Sequence, residues 1–411
     1  MAIIKPFQAV RPSEDKAHLV ASPPYDVVDT KKAKKLAEGN PDSFLHVVRP
    51  EIDLPEGTSL YSEEAYNKAA ENLKKLLDQE SLVKEDKPCL YAYSQRMGGH
   101  LQTGIVACCS VDDYDNDVIR KHEKTRRNKE EDRTKLILRT EAQTGPVFLL
   151  HRDIEKIDVS MKRGCPSTPL YSFTAPDEVV HTVYKISDEE CIRDIVNQFS
   201  KIRYLYVADG HHRSAAASRA RAEKKKNNPN HAGDEEYNFF LAVLFPASSL
   251  DILPYNRVVK DVAGLSKEEL FQKIRKHFRI SETEDFIPRM KGTFGMYYQG
   301  KWYHLVDKPW EHRTDDPVKK LDASLLQDHL LGPILNIEDP RTDDRIDFVG
   351  GIHGHAELKR RVDDGEAEIA FLMHPVTVEN LIEVSDAGKT MPPKSTWFEP
   401  KLRSGLFTHL I

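Results

Sequence analysis

At 411 residues the chain exceeds what one compact core supports, so two or three packed subdomains are expected. Hydrophobic residues make up 39% and charged residues 31%, the balance of a globular protein with a heavily charged surface. A formal charge of -6 argues against a protein whose main affinity is for nucleic-acid backbone, and no window reaches the run of about 18 apolar residues that a membrane span needs.

The first fifty residues are rich in turns. Ser22-Pro23-Pro24-Tyr25-Asp26 and Asn40-Pro41-Asp42 bracket a short helix from Thr30 to Glu38, and the tandem prolines hold Tyr25 and Asp26 on a stiff loop. Helix-spaced apolar residues then predict a helix over Ser59–Leu82. Two strand-like runs follow, Cys89–Ser94 and Thr103–Val111, joined as a hairpin by Gly98-Gly99-His100. The five cysteines show no CxxC pair, and Cys108 and Cys109 read as buried strand thiols of a reduced, cytosolic protein. The N-terminus is too polar for a signal peptide.

Residues 118–139 are very charged and precede an apolar strand at Gly145–Leu150. Further on come a strand at His181–Ile186, an amphipathic helix from Asp188 to Phe199, and a buried strand, Ile202–Val207, running straight into Asp209-Gly210. An Ala-rich helix follows from Ser214 to about Lys226, and another strand from Phe239 to Phe245. The last third holds a hairpin (Thr293–Val306), helices around Asp322–Leu331 and Glu357–Val362, a strand at Ile369–Met373, and the irregular closing stretch Met391–Lys401. Strands and helices mixed without strict alternation predict an α+β, multi-subdomain chain, divided at 1–111, 112–260 and 261–411.

The sharpest feature is the strand–Asp209-Gly210-His211-His212-Arg213–helix. A helix N-terminus leaves backbone N–H groups unpaired and carries positive potential, so it receives phosphate. Gly210 allows close approach of the backbone, His211 and His212 offer donors, and Arg213 offers a planar fork matched to phosphate oxygens. The second candidate is Lys121-His122-Glu123-Lys124-Thr125, followed by Lys129 and Asp132-Arg133, where His122 and Glu123 are both competent acid/base groups. The same residues suit a solvated helix start capped by Thr125, and the residues alone leave the two readings level. The third is Pro392-Pro393-Lys394-Ser395-Thr396, with Glu399 and Lys401, either a packed linker or a source of a substrate or phosphate contact from Lys394. There is no GxxxxGK[ST] and no GxGxxG.

Together with SPPYDVV at 22–28, NPDSFLHVVRPEID at 40–53, LPYNRVV at 253–259 and MPPKSTWFEPKLRSGL at 391–406, these motifs resemble, over nearly the whole chain, a widespread prokaryotic domain-of-unknown-function family. More distantly, the Asp209–Arg213 turn is similar to the nucleotide-phosphate motif of the ParB/sulfiredoxin-like superfamily, which includes CTP-hydrolysing partition proteins, sulfiredoxin and free-serine kinases. That resemblance makes the central region, about 112–260, a ParB/sulfiredoxin-like nucleotide-binding region. It implies a phosphotransferase that uses ATP or ADP, with Mg²⁺, on the hydroxyl of free serine or, in reverse, on phosphoserine. It further implies Gly210, His211, His212 and Arg213 on the phosphates, Asp209 as base or metal ligand, Glu123 as general base beside His122, and Tyr25, Asp26, Arg257, Lys394 and Ser395 as substrate contacts. The turn, Glu123 and Lys394 are expected to converge on one cleft. The alternative from the same resemblance is a nucleotide-switched module that engages a partner or DNA. Redox repair of sulfinic cysteine is disfavoured, because no cysteine lies near the motif.

Overall fold

The computed structural model describes residues 1–308 and 314–411. The chain folds as two compact units, Met1–Leu250 with Pro400–Ile411, and Asp251–Glu399. The second unit is thus inserted near the end of the first, and the expected boundary after residue 111 lies inside the first unit. Both units mix helices with sheet.

The first unit is built on a nine-stranded sheet. In chain order its strands are β1 (Ile4–Lys5), β2 (Leu90–Met97), β3 (His100–Ser110), β4 (Ile119–Arg120) and β5 (Val147–His151). They continue as β6 (Tyr171–Thr174), β7 (Val180–Ile186), β8 (Leu205–Asp209) and β9 (Phe239–Pro246). The spatial order is β4-β8-β5-β9-β3-β2-β7-β6, with β1 beside β3. β3 and β9 lie at the centre, where β9 is a continuous apolar run and β3 is apolar and buried over its second half, residues 105–109, as suits a sheet covered on both faces. Cys108 and Cys109 sit in β3, fully buried, and burial pushes both thiols up.

Helices of this unit include α1 (Glu63–Asp78), α2 (Arg127–Thr140), α3 (Glu189–Phe199) and α4 (His211–Asn227). α1 is shorter than its apolar spacing suggested. Ser62 caps it by accepting from the Ala65 N–H, Glu80 ends it with φ 55°, and Leu82 pairs instead with Pro12 in a small two-stranded sheet. α4 buries Ser214, Ala215, Ala216, Ala217 and Ala220, and its small side chains pack against Ile137 of α2. Pro400–Ile411 is tied to the unit by Gln95 and Gln102, which donate to the Lys401 and Pro400 carbonyls, and by the pairing of His409 with Gln143.

The second unit holds a six-stranded sheet. Its strands are β10 (Tyr255–Val259), β11 (Phe278–Thr283), β12 (Thr293–Tyr298), β13 (Lys301–Asp307), β14 (Ile346–Gly350) and β15 (Ile369–Leu372), in the order β11-β13-β12-β15-β10-β14. The hairpin expected over Thr293–Val306 is β12–β13. The closing stretch is not wholly irregular, since Trp397–Glu399 pairs with Asp251–Leu253. No described helix is long and apolar enough to cross a membrane.

Candidate functional site

β4 and β8 are neighbours and run parallel, Ile119 opposite Leu205 and Arg120 opposite Tyr206. The chain therefore leaves both strands at the same edge, and Lys121–Thr125 emerges beside Asp209–Arg213. Carboxyl ends of adjacent parallel strands are where open sheets build ligand crevices. Two segments that were separate candidates in the sequence become one constellation.

Gly210 adopts φ 93°, and a Cβ there would lie 3.0 Å from the Arg213 guanidinium. Glycine is required on both counts, by conformation and by the arginine folded back over it. α4 starts at once, with the Ser214 N–H donating to the Gly210 carbonyl at 3.0 Å. The backbone N–H groups of His211, His212 and Arg213 precede the first intrahelical bond and face outward at the positive pole of a 17-residue helix.

Asp209 is gripped from two sides. Its Oδ2 accepts from Arg213 Nη2 at 2.9 Å, and its Oδ1 lies 3.9 Å from Lys401 Nζ. Burial alone would raise its proton affinity, but the charges of Lys401, Arg213 and His211 prevail and hold the carboxyl well below its usual range. Such a group is a poor proton acceptor, which removes the base role expected for Asp209 and leaves anchoring or metal binding. Arg213 also spends Nη1 on the Pro146 carbonyl, so its fork is turned onto the protein, while its Nε is buried with no acceptor among the described residues.

His122 is 1% exposed and His211 4%, and their rings meet edge to face with centroids 4.5 Å apart. Glu123 stays 43% exposed on its side chain, with Oε2 3.7 Å from His211 Nδ1. His211 Nε2 is buried and has no acceptor or donor among the described residues. The His212 ring accepts from the Arg126 N–H at 3.0 Å, which pins the loop before α2 onto the turn. The burial of His122 was not readable from its flanks, both charged.

Burial lowers His122 to about 4 against the pull of the Val207 backbone and Asp209, and burial with help from His122 holds His211 well below its ordinary value. Groups that take up protons more readily in the unfolded chain stabilise the fold fully above about pH 6.5 and lose that contribution as pH falls toward their folded values. For His122 alone the loss amounts to about 3 kcal/mol by pH 4. Melting temperature should fall steeply between pH 6.5 and 4, and less steeply in His122→Asn. A wild-type profile flat over that range would rule the histidine pair out as the cause.

Tyr25 and Asp26 belong to the same neighbourhood. Tyr25 lies under the Arg133 guanidinium, 4.0 Å from ring centroid to Cζ. Burial and then Asp26 push the Tyr25 hydroxyl up, with Arg133 and Arg213 opposing, while Asp26 raises the proton affinity of both Arg213 and His212. Arg133 and Lys401 come from the second and third candidate segments, whereas Pro146 was not among the sequence candidates for the site. Arg257, Lys394 and Ser395 belong to the second unit and are brought together there. Arg257 Nη2 donates to the Lys394 carbonyl at 3.2 Å and Nη1 to the Tyr255 carbonyl, while the Ser395 hydroxyl donates to the Pro392 carbonyl at 2.7 Å. Burial lowers Arg257 to about 10, and Lys394 takes φ 55°.

The family described as "Protein of unknown function (DUF1015)" matches residues 4–324. The chain belongs to that family. No curated protein matches it. Among solved structures, "Free serine kinase in complex with AMP" is similar at a TM-score of 0.37 and 12% identity, over 74% of this chain and 91% of that one. "SbnI with C-terminal truncation from Staphylococcus aureus" is similar at 0.39 and 11%, over 74% and 87%. A conserved hypothetical protein from Pyrococcus furiosus is similar at 0.35 and 14%, over 75% and 95%. At these TM-scores the likeness carries no argument.

Proposed function

We propose that the first unit is a nucleotide-dependent phosphotransferase acting on the hydroxyl of a small metabolite, with free serine as the leading acceptor and ATP or ADP as the phosphoryl carrier. The observation that carries the reading is the start of α4: unpaired backbone N–H groups, a glycine that admits close approach, and a buried ring nitrogen, His211 Nε2, without a partner among the described residues. The resemblance of this turn to the ParB/sulfiredoxin-like phosphate motif supports the same assignment. Phosphoryl transfer asks the protein mainly for positioning and charge stabilisation. In this reading the α4 N-terminus receives the phosphates, Lys401 and Arg213 supply positive potential, and Glu123, the accessible carboxylate, takes the proton from the incoming hydroxyl. Asp209 orders the two cations rather than the proton.

The donor set does not fit a metal held by protein alone, since no group of three or more His, Cys, Asp or Glu side chains converges among the described residues. The Mg²⁺ expected with the nucleotide would be carried chiefly on phosphate oxygens.

Two measurements test the proposal. Millimolar ATP, ADP or CTP should raise the melting temperature, since a ligand at a hundredfold excess over Kd stabilises by about 2.7 kcal/mol. Absence of a shift with any of them, and with pyrophosphate, would remove the phosphate site. Incubation with nucleotide and a panel of hydroxyl metabolites, read by mass spectrometry, should give a phosphorylated acceptor. Hydrolysis without an acceptor, or binding without turnover, would favour the nucleotide-switched module instead.

A further inference from the structure

Beside the turn, inside the first unit, lies a cavity of ≈ 30 Å³ whose wall includes Tyr25, Arg133, Thr144, Arg213 and Ser404, with Leu136 among its apolar lining. On a measure where one water occupies about 10–15 Å³, it has room for about two oxygen-sized groups, far less than a phosphate chain or a base. Two guanidinium groups on one small cavity is an unusual density of fixed donors. Arg133 is 8% exposed and turns Nε and Nη2 onto Asp132, at 2.8 and 2.7 Å, which leaves Nη1. Arg213 turns both Nη atoms onto Asp209 and Pro146, which leaves the buried Nε. Gly145 holds the far wall close: a Cβ there would sit 3.6 Å from the Ser404 hydroxyl and 3.7 Å from Arg213 Cδ.

We infer that this cavity is a carboxylate subsite, in which the two oxygens of a small organic acid, an amino acid or hydroxy acid, are held between Arg133 and Arg213 with the Tyr25, Thr144 and Ser404 hydroxyls around them. A carboxylate matches the volume, offers one oxygen to each guanidinium, and supplies the acceptor that the buried Arg213 Nε lacks among the described residues. Buried unpaired donors are costly, so a site built this way favours an anion over a neutral guest. The hydroxyls discriminate as well, because each can donate to a carboxylate oxygen. Arg213 contributes to both the cavity wall and the start of α4, which brings the acid's carboxylate next to the phosphate site. As the acceptor's anchor, the subsite rests on the phosphotransferase reading; as a binding site for organic acids it stands without it.

The test is calorimetric titration of the full-length protein with acetate, L-lactate and L-serine, and with ethanolamine, which keeps the hydroxyl and amine of serine but lacks the carboxylate. At least one acid should titrate and ethanolamine should not. Arg133→Met should weaken the acid at least about tenfold, and so should Thr144→Val, an isosteric change that keeps the experiment decisive if the loss of Arg133 unfolds the protein beside Asp132. No acid titrating at about 10 mM, or titration untouched by either substitution, overturns the subsite. Melting shifts with ADP in the same samples report on the phosphate site separately. Acid binding without a nucleotide shift would sink the phosphotransferase reading and keep the subsite; a nucleotide shift without acid binding would do the reverse.

Discussion

Replacing Glu123 by glutamine should lower turnover by about 10²–10⁴-fold while leaving nucleotide binding intact. The substitution keeps the side chain's shape and its capacity to hydrogen-bond, and removes only the proton acceptor. In the proposed reading Glu123 is the base. It is 43% exposed, so a substrate hydroxyl has access to it, and it stands 3.7 Å from the buried imidazole of His211. Asp209 lacks the proton affinity, and His122 lacks the exposure. The loss should therefore appear in the chemical step, as a lower kcat with the nucleotide-induced melting shift preserved. Full activity in Glu123→Gln would send the search for the base to Asp26, a carboxylate that the turn senses electrostatically at both His212 and Arg213.

Asp209→Asn should cost the fold about 2–3 kcal/mol and, at the same time, tighten the binding of pyrophosphate. Breaking a fully buried ion pair costs about 3–5 kcal/mol because the other charge is left uncompensated, and the 30% exposure of Asp209 reduces that figure. Here two cations lose their partner, Arg213 at 2.9 Å and Lys401 at 3.9 Å. Their freed charge adds to the positive pole of α4, and an anion then offsets part of the loss. The sign with pH follows from a folded proton affinity lower than the unfolded one. The stabilisation by Asp209 is complete above the unfolded carboxylate value of about 3.9 and disappears only as pH falls below it toward the folded value. Unfolding curves of the two proteins should stay parallel from pH 8 to 5 and draw together only in stronger acid. An Asp209→Asn protein as stable as wild type, or one that binds pyrophosphate more weakly, would show that the carboxylate is no anchor for these cations. The second result would point instead to a carboxylate that holds the anion through a metal.

The strand–turn–helix at the centre of the site was legible because local rules agree there. An apolar run ends in Asp-Gly, a pair that lets the chain reverse from β8 into α4 under a folded-back arginine, and the alanine-rich stretch that follows favours a closely packed helix. The hairpin β2–β3 was legible for the same reason, from Gly98-Gly99 between β-forming runs. His122 was ambiguous because its burial comes from the parallel pairing of β4 with β8, a contact between segments far apart in the chain whose signal is carried by neither. α1 was overextended at its C-terminal end because apolar spacing continues into Leu82, while the left-handed turn at Glu80 that stops the helix leaves no trace in the pattern. Lys401 and Arg133 stood with the candidate segments but their partners were not legible, since a lysine after a proline and an arginine in a charged helix look like surface until the fold supplies Asp209 for one and Asp132 with Tyr25 for the other.

The insertion of Asp251–Glu399 before Pro400–Ile411 sets a schedule for synthesis. A ribosome has already released the nine strands and α4 when it begins the second unit, yet Lys401, Ser404 and the residues that pair with β-structure at Ala142–Gln143 are still unmade. At about 5–20 residues per second the gap lasts about 10–30 s, during which Asp209 has Arg213 alone for a counter-charge and the cavity lacks a wall. The crevice at the head of α4 is therefore completed last, after the second unit has been translated in full.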